Sequence, residues 1–139
     1  MDKEQKKYRK IRREHKKALM RLVKKDADYD WSFLHDLVCC KIKNMAEFYE
    51  KGFGVAQEEQ SRLRVLESIN GAIKFLEEID HCWDEYFNSV LYRVGPTHLI
   101  DIELIDEERW LATKAQEREI ELYKNLYSYI GEHLHEWWD

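Results

Sequence analysis

The chain has 139 residues, of which 37% are charged and 13% aromatic, with one proline and five glycines. This length fits one domain whose core needs no disulfide, and the composition excludes intrinsic disorder and favours a helical protein with a charged surface. The three cysteines, Cys39, Cys40 and Cys82, are odd in number and two are adjacent, which argues against a secreted disulfide framework and a zinc knuckle.

The first residues are charged, and no run of about 18 apolar residues occurs that would span a membrane. We therefore expect neither a signal peptide nor a membrane span. Together with the cysteine pattern, this predicts a soluble protein of a reducing cytoplasm.

The net charge of −5 is distributed unevenly. Residues 1–25 contain twelve Lys or Arg against three acidic residues, a net charge of +9, which leaves −14 for the remainder. Such a block can bind nucleic acid or another polyanion, lie on an anionic membrane surface, or dock on the acidic remainder of its own chain. The candidate polyanion-binding residues are Lys6, Lys7, Arg9, Lys10, Arg12, Arg13, Lys16 and Lys17.

In residues 1–25, steps of three and four residues predict an amphipathic helix with one narrow stripe: Tyr8, Ile11, His15, Leu19 and Leu22. A second, largely buried helix is predicted over 29–51, capped by Asp28 or Asp30 and stopped at Gly52. Its apolar face comprises Trp31, Leu34, Val38, Ile42, Met45 and Tyr49, widened by Phe33, Leu37, Cys40 and Phe48.

The longest periodic segment predicts a single helix over 56–92, with close packing or a kink at Gly71 and a stop at Gly95-Pro96. Its apolar face comprises Leu63, Leu66, Ile69, Ile73, Leu76, Ile79, Trp83, Phe87 and Val90 or Leu91. Residues 97–105 alternate weakly, which predicts either a short extended piece or a helical turn.

A last helix is predicted over 106–138, with Asp106 as its cap and acidic residues in its first turn. It carries Trp110, Leu111, Ile120, Tyr123, Tyr127, Ile130, Leu134 and Trp137 or Trp138. Helices joined by short loops predict an all-α, single-domain antiparallel bundle of about four helices, with the basic N-terminal helix packed more loosely.

Two aromatic and acidic clusters stand out, one at the start of the second helix and one at residues 137–139. They provide a candidate site for a ring-bearing ligand or a cationic partner side chain: Tyr29, Asp30, Trp31, Lys41, Trp137, Trp138 and Asp139. The structural alternative is a clasp, in which the last turn packs its indoles over the start of the second helix.

The sequence Asp28-Tyr29-Asp30-Trp31 is followed by Leu34, Leu37, Lys41, Met45 and Tyr49, by a long middle helix, and finally by Trp137-Trp138-Asp139. In this order of features the chain resembles a family of small, uncharacterised helical phage and prophage proteins. The resemblance spans most of the chain but not residues 94–111. It implies a mobile-element accessory protein in the cytoplasm of a bacterial host, with counter-defence as one candidate task, and it carries over no catalytic residue.

Two Glu-x-x-His pairs, Glu78 with His81 and Glu132 with His135, raise the alternative of a ferritin-like dinuclear metal site. Composition alone makes about 0.8 such pairs expected, so two are unsurprising, and the second pair lies where a bundle frays. His35 and Cys39 have the spacing of a base and a nucleophile, yet a buried core cysteine is the favoured interpretation.

We therefore expect a non-enzymatic protein without a cofactor, which binds or sequesters a host protein or a small nucleotide-like ligand through aromatic and charged surface. Two alternatives stay open. One is nucleic-acid or nucleotide binding through the basic helix and the aromatic cluster, and the other is the dinuclear metal protein. Self-association is also left open.

Overall fold

In a computed structural model of the chain, the described residues are 2–25, 31–53, 58–96 and 102–137. These residues form α-helices and no strand: α1 (Lys3–Val23), α2 (Trp31–Glu50), α3 (Glu59–His81), α4 (Asp84–Val94), α5 (Asp106–His133) and a 3-10 turn at Leu134–Glu136. The predicted all-α helical bundle is confirmed. Within the described stretches, no helix has both the length and the apolar content that a membrane crossing requires.

The chain divides into two compact units. Unit 1 comprises Met1–Ile73 together with His133–Asp139, and unit 2 comprises Lys74–Glu132. The first part of α3 therefore belongs to unit 1 and its last part to unit 2. The prediction of a single domain stays a prediction.

In unit 1, the stripe predicted for the basic helix faces α2. Ile11 is the buried residue at its centre, while His15, Leu19 and Leu22 are half-buried. Tyr8 is 40% exposed, although its ring still packs edge-on against two rings at the end of α2. One fully buried side chain in 21 residues agrees with the expected loose packing of α1.

Along α1, later residues contact earlier residues of the chain segment that comprises α2 and the turn after it. The Tyr8 ring lies 5.6 Å from the Phe53 ring, and Nε2 of His15 lies 3.0 Å from Oε2 of Glu47. The two helices are therefore antiparallel.

The C-terminus of α2 is closed by a Schellman motif, as the predicted stop at Gly52 requires. Gly52 has φ of 85°, its N–H donates to the carbonyl of Tyr49, and the N–H of Phe53 donates to the carbonyl of Phe48. The rings of Phe48 and Phe53 pack with centroids 5.4 Å apart, which supplies the apolar contact that usually accompanies this motif. A guanidinium N–H of Arg62 also donates to the Tyr49 carbonyl.

The prediction that α2 is largely buried along one face is wrong for its first half. Ile42, Ala46 and Tyr49 are buried, whereas Leu34 is 63% exposed. The physical reason is that the described contacts of α2 with α1 lie in its second half, so its apolar periodicity extends beyond the surface available to cover it. The predicted caps at residues 28 and 30 lie outside the described residues.

In unit 2, the last part of α3 and then α4 run antiparallel to α5. Phe75 packs against Tyr129, the indole N–H of Trp83 donates a hydrogen bond to Glu119, and Arg93 donates to Glu108. Later residues of α3 and α4 thus contact earlier residues of α5. The apolar core of this unit comprises Leu76, Ile79, Val90, Leu111, Ala115, Leu122 and Leu126.

The predicted single helix over 56–92 is broken, because α3 ends at His81 and α4 begins at Asp84. The thiol of Cys82 and, at 3.5 Å, its backbone N–H donate to the carbonyl of Ile79, the acceptor that the N–H of Trp83 would use in a continuous helix. Gly71 lies inside α3 without interrupting it, and Gly95, with φ of 77°, ends α4 as predicted.

The predicted face of the last helix is also partly wrong. Its buried apolar side chains are Leu111, Ala115, Leu122 and Leu126, whereas Trp110, Ile120, Tyr127 and Leu134 are 41–59% exposed. The buried set follows steps of four and seven residues, the repeat of one helix face, and the exposed side chains lie off this stripe. The helix ends at His133 rather than 138, and residues 102–105 have no regular structure.

Candidate functional site

A groove of about 530 Å³ lies between α1 and α2 in unit 1. Ligand pockets usually have volumes of about 300 to 1,000 Å³, so the groove has room for a small ligand or for one unit of a polymer. Its lining residues are Tyr8, Arg12, His15, Lys16, Leu19, Lys41, Asn44, Met45, Phe48, Tyr49 and Trp137.

The charged side chains of the groove are cationic. Arg12 and Lys16 come from α1 and Lys41 comes from α2, and all three residues are exposed. Among the described residues, none of the three forms an ion pair, and no Asp or Glu lines the groove. The groove therefore presents positive charge that is available to an anion.

Aromatic rings contribute the apolar part of the lining. The rings of Tyr8 and Phe48 meet edge to face with centroids 5.8 Å apart. The guanidinium carbon of Arg12 lies 6.0 Å from the centroid of the Tyr8 ring, which is the outer limit for a cation–π contact. Positive charge and exposed ring surface are thus adjacent.

One groove residue, His15, is held by a carboxylate outside the lining. Its Nε2 lies 3.0 Å from Oε2 of Glu47, whose Oε1 accepts a 2.7 Å hydrogen bond from Nζ of Lys51. The hydrogen bond from Lys51, and then that from His15, lower the pKa of the Glu47 carboxyl below its ordinary value. The carboxylate thus fixes one imidazole nitrogen, and α1 is tied to α2 beside the groove.

Trp137 reaches the groove from the segment after α5. It is 6% exposed, and its indole N–H donates a 2.8 Å hydrogen bond to Oγ of Ser68 in α3. Trp137 therefore does not form the predicted clasp over the start of α2, because its indole lies against α3 and beside the second half of α2. Trp138, the other indole of that prediction, lies outside the described residues.

The groove joins residues from both of the sites predicted from the sequence. Lys41 and Trp137 belong to the predicted ligand site, and Arg12 and Lys16 belong to the predicted polyanion site. The other predicted cations are exposed along α1: Lys6, Lys7, Arg9, Lys10, Arg13 and Lys17. Tyr29, Asp30, Trp138 and Asp139 lie outside the described residues, and only the backbone of Trp31 is described.

Sequence reasoning did not find Asn44, Met45 and Phe48 as groove residues. All three lie one turn or two turns beyond Lys41 along α2, so the helical repeat from Lys41 was the available signal. The contact between His15 and Glu47 joins residues 32 positions apart, and no local sequence pattern predicts it.

Two residues of the alternative metal site, Glu78 and His81, have protein partners. Glu78 accepts a 2.7 Å hydrogen bond from Arg118, and Nδ1 of His81 lies 2.7 Å from Oδ2 of Asp84. Nε2 of His35 lies 3.3 Å from Sγ of Cys39, which is half-buried. Across the part of the chain that the structure describes, no group of three or more His, Cys, Asp or Glu is placed to hold a metal ion.

A second polar feature, in unit 2, was not predicted. The carboxylate of Glu108 is fully buried and accepts hydrogen bonds from Nε and Nη2 of Arg93, at 2.8 and 2.6 Å, and from the N–H of Ile105. Arg93 also donates to the carbonyl of Glu103. The cluster secures the start of α5 and is structural, since Glu108 has no exposed surface for a ligand.

We compared the chain with models of known protein families, with curated proteins and with solved structures, and none of them matches it.

Proposed function

We propose that this protein is a non-enzymatic nucleic-acid-binding protein that holds a phosphate backbone along α1. The observation that carries this proposal is that the Lys and Arg residues of α1 are exposed and form no ion pair with any described carboxylate. Cations that release condensed counterions from phosphates supply most of the affinity of non-specific nucleic-acid binding.

The position of α1 on α2 supports an outward role for its charges. The helix α1 packs on α2 through the apolar stripe around Ile11. Among the described residues, His15 is the only member of α1 with an ion-pair partner on another helix. Arg9 and Arg13 lie about 160° from Ile11 on either side around the helix axis, so they face away from α2. Electrostatic self-docking would instead direct them toward acidic side chains.

An anionic membrane surface fits these contacts less well. An interfacial helix must insert its apolar face among the lipid headgroups, and the apolar face of α1 is already packed on α2. Membrane binding would therefore require α1 to leave α2, whereas a polyanion can bind α1 where it lies.

A role in a phage or prophage, including counter-defence against a host factor, is a proposal that rests only on the resemblance described above. Nucleic-acid binding is compatible with such a role. It is also more directly testable, because purified protein and a synthetic oligonucleotide are enough to measure it.

The proposal predicts that charge reversal on α1 weakens binding to nucleic acid. Arg9→Glu with Arg13→Glu should abolish binding to a labelled oligonucleotide, measured by fluorescence anisotropy over a salt titration. Each phosphate contact contributes about 0.7 to 0.9 to the slope of log affinity against log salt. The wild type should therefore show a slope of several units.

The matched control is Lys74→Glu with Lys124→Glu, which makes the same charge change at two exposed lysines of unit 2. We expect this control to keep most of the affinity. Equal losses in both double variants would mean that net charge alone governs binding, and no binding by the wild type at low salt would contradict the proposal directly.

A further inference from the structure

We propose that the groove between α1 and α2 holds a base of single-stranded nucleic acid, so that the protein prefers single strands to duplexes. This inference rests on the proposed function and deepens it. A cation-rich helix would bind any polyanion, whereas a groove that combines rings with cations has a more specific use.

The lining of the groove has the two parts that single-strand binding requires. Tyr8 and Phe48 provide ring surface, and Arg12, Lys16 and Lys41 provide positive charge around it. Proteins that bind single strands combine a positively charged groove with aromatic side chains on which bases stack. Among the described lining residues, no acidic side chain opposes a phosphate.

The size and exposure of the groove also favour a base over a phosphate alone. A volume of about 530 Å³ exceeds what a phosphate group needs, and Tyr8, which lines the groove, is 40% exposed. The guanidinium of Arg12 lies 6.0 Å from that ring, so a base stacked on Tyr8 has a cation beside it for its own phosphate. The amide of Asn44 adds a polar group that can bond to a base edge.

A duplex does not satisfy this groove. Its bases are stacked inside the helix, and extracting one requires unpairing and unstacking. A duplex would therefore contact only the outer cations of α1, and its binding would not depend on the groove.

The test compares three labelled ligands at one salt concentration by fluorescence anisotropy: oligothymidine of about 12 nucleotides, an abasic strand of the same length, and a duplex of the same length. The wild type should bind oligothymidine about tenfold or more tightly than the abasic strand, because stacking contributes to every inserted base. Tyr8→Leu keeps an apolar side chain against Phe48 but removes the ring. In this variant the affinity for oligothymidine should fall to the affinity for the abasic strand.

A matched pair on α2 tests the charge of the groove. Lys41→Ala should weaken oligothymidine binding severalfold, whereas Lys43→Ala should leave it unchanged, since both lysines are exposed but only Lys41 lines the groove. Thermal melts of all variants show whether α1 stays folded.

Equal affinity of the wild type for oligothymidine and for the abasic strand would overturn the inference. If Arg9→Glu with Arg13→Glu still weakened the binding of both strands, the proposed function would stand. A preference for oligothymidine that survives in a folded Tyr8→Leu variant would also overturn it. If neither strand bound at low salt, the proposed function itself would fail.

Discussion

Glu108 is the charged side chain that the described structure buries completely. Removing a carboxylate from water is costly unless it is paired and hydrogen-bonded, and here Arg93 and the N–H of Ile105 supply three donors. The hydrogen bonds from Arg93, and to a lesser degree that from Ile105, lower the pKa of Glu108 against the opposing effect of burial.

This lowered pKa predicts an acid-sensitive stability. The carboxyl takes up a proton at higher pH in the unfolded chain than in the folded one. Its contribution is therefore fully present above the unfolded pKa of about 4.3 and is lost as pH falls through the folded pKa. We expect Glu108→Gln to lower the Tm at neutral pH and to make the Tm fall less steeply with acid, in thermal melts followed by circular dichroism.

The control for Glu108→Gln is Glu107→Gln, which removes the same charge from an exposed position in the same turn. It should leave both the neutral Tm and its pH profile nearly unchanged. If Glu108→Gln lost stability in acid as steeply as the wild type, the buried ion pair would not be a source of the acid sensitivity.

Trp137 offers a second test at the residue scale, because its 6% exposure contrasts with the 59% exposure of Trp110. Trp137→Ala should lower the free energy of unfolding by about 3 to 5 kcal/mol, the usual range for a buried Trp. Trp110→Ala should cost less than about 1 kcal/mol. Urea denaturation followed by circular dichroism measures both, and comparable losses would mean that Trp137 is not a core residue.

Helix ends were predictable wherever a special backbone conformation was needed. Gly52 and Gly95 both have positive φ, and both end their helices at the positions that the sequence indicated. The break between α3 and α4 was not predictable. At this break the thiol and N–H of Cys82 both donate to the Ile79 carbonyl, in place of the N–H of Trp83, and apolar periodicity continues through the break without change.

Two glycines should respond to alanine in opposite directions. Gly52 has φ of 85° with nothing within 4 Å of an added Cβ, so Gly52→Ala should cost roughly 1 to 2 kcal/mol from backbone strain alone. Gly131 lies inside α5 with the same open space, so Gly131→Ala should stabilise the protein by about 0.5 to 1 kcal/mol. Chemical denaturation distinguishes these signs, and equal effects would contradict the Schellman assignment at Gly52.

The faces of the helices were less predictable than their ends. Leu34, Trp110 and Ile120 belong to apolar stripes in the sequence, yet they are at least half exposed. Periodicity identifies the side of a helix that can be buried, but packing against the neighbouring elements decides how much of that side is covered.

For the whole molecule, the sequence was enough to predict the fold class, whereas only some residues of the candidate site could be predicted from it. The cations of α1 form a block in the sequence, and Lys41 and Trp137 belonged to the ligand site predicted from it. Their meeting in one groove follows from the antiparallel packing of α1 on α2 and from the return of Trp137 to Ser68. Neither contact can be predicted from a short stretch of sequence, because each joins residues that are far apart in the chain.

The hydrogen bond between Trp137 and Ser68 also implies an order of events during synthesis. Its two residues are 69 positions apart, and all of unit 2 lies between them along the chain. A contact across so long a loop forms later than local helix pairs, because the entropy of the loop is lost before the contact contributes. The pair of α1 and α2 can therefore assemble while the ribosome is still translating unit 2. The nascent chain presents its basic helix first, and the groove acquires its indole only after residues 133–137 have been made.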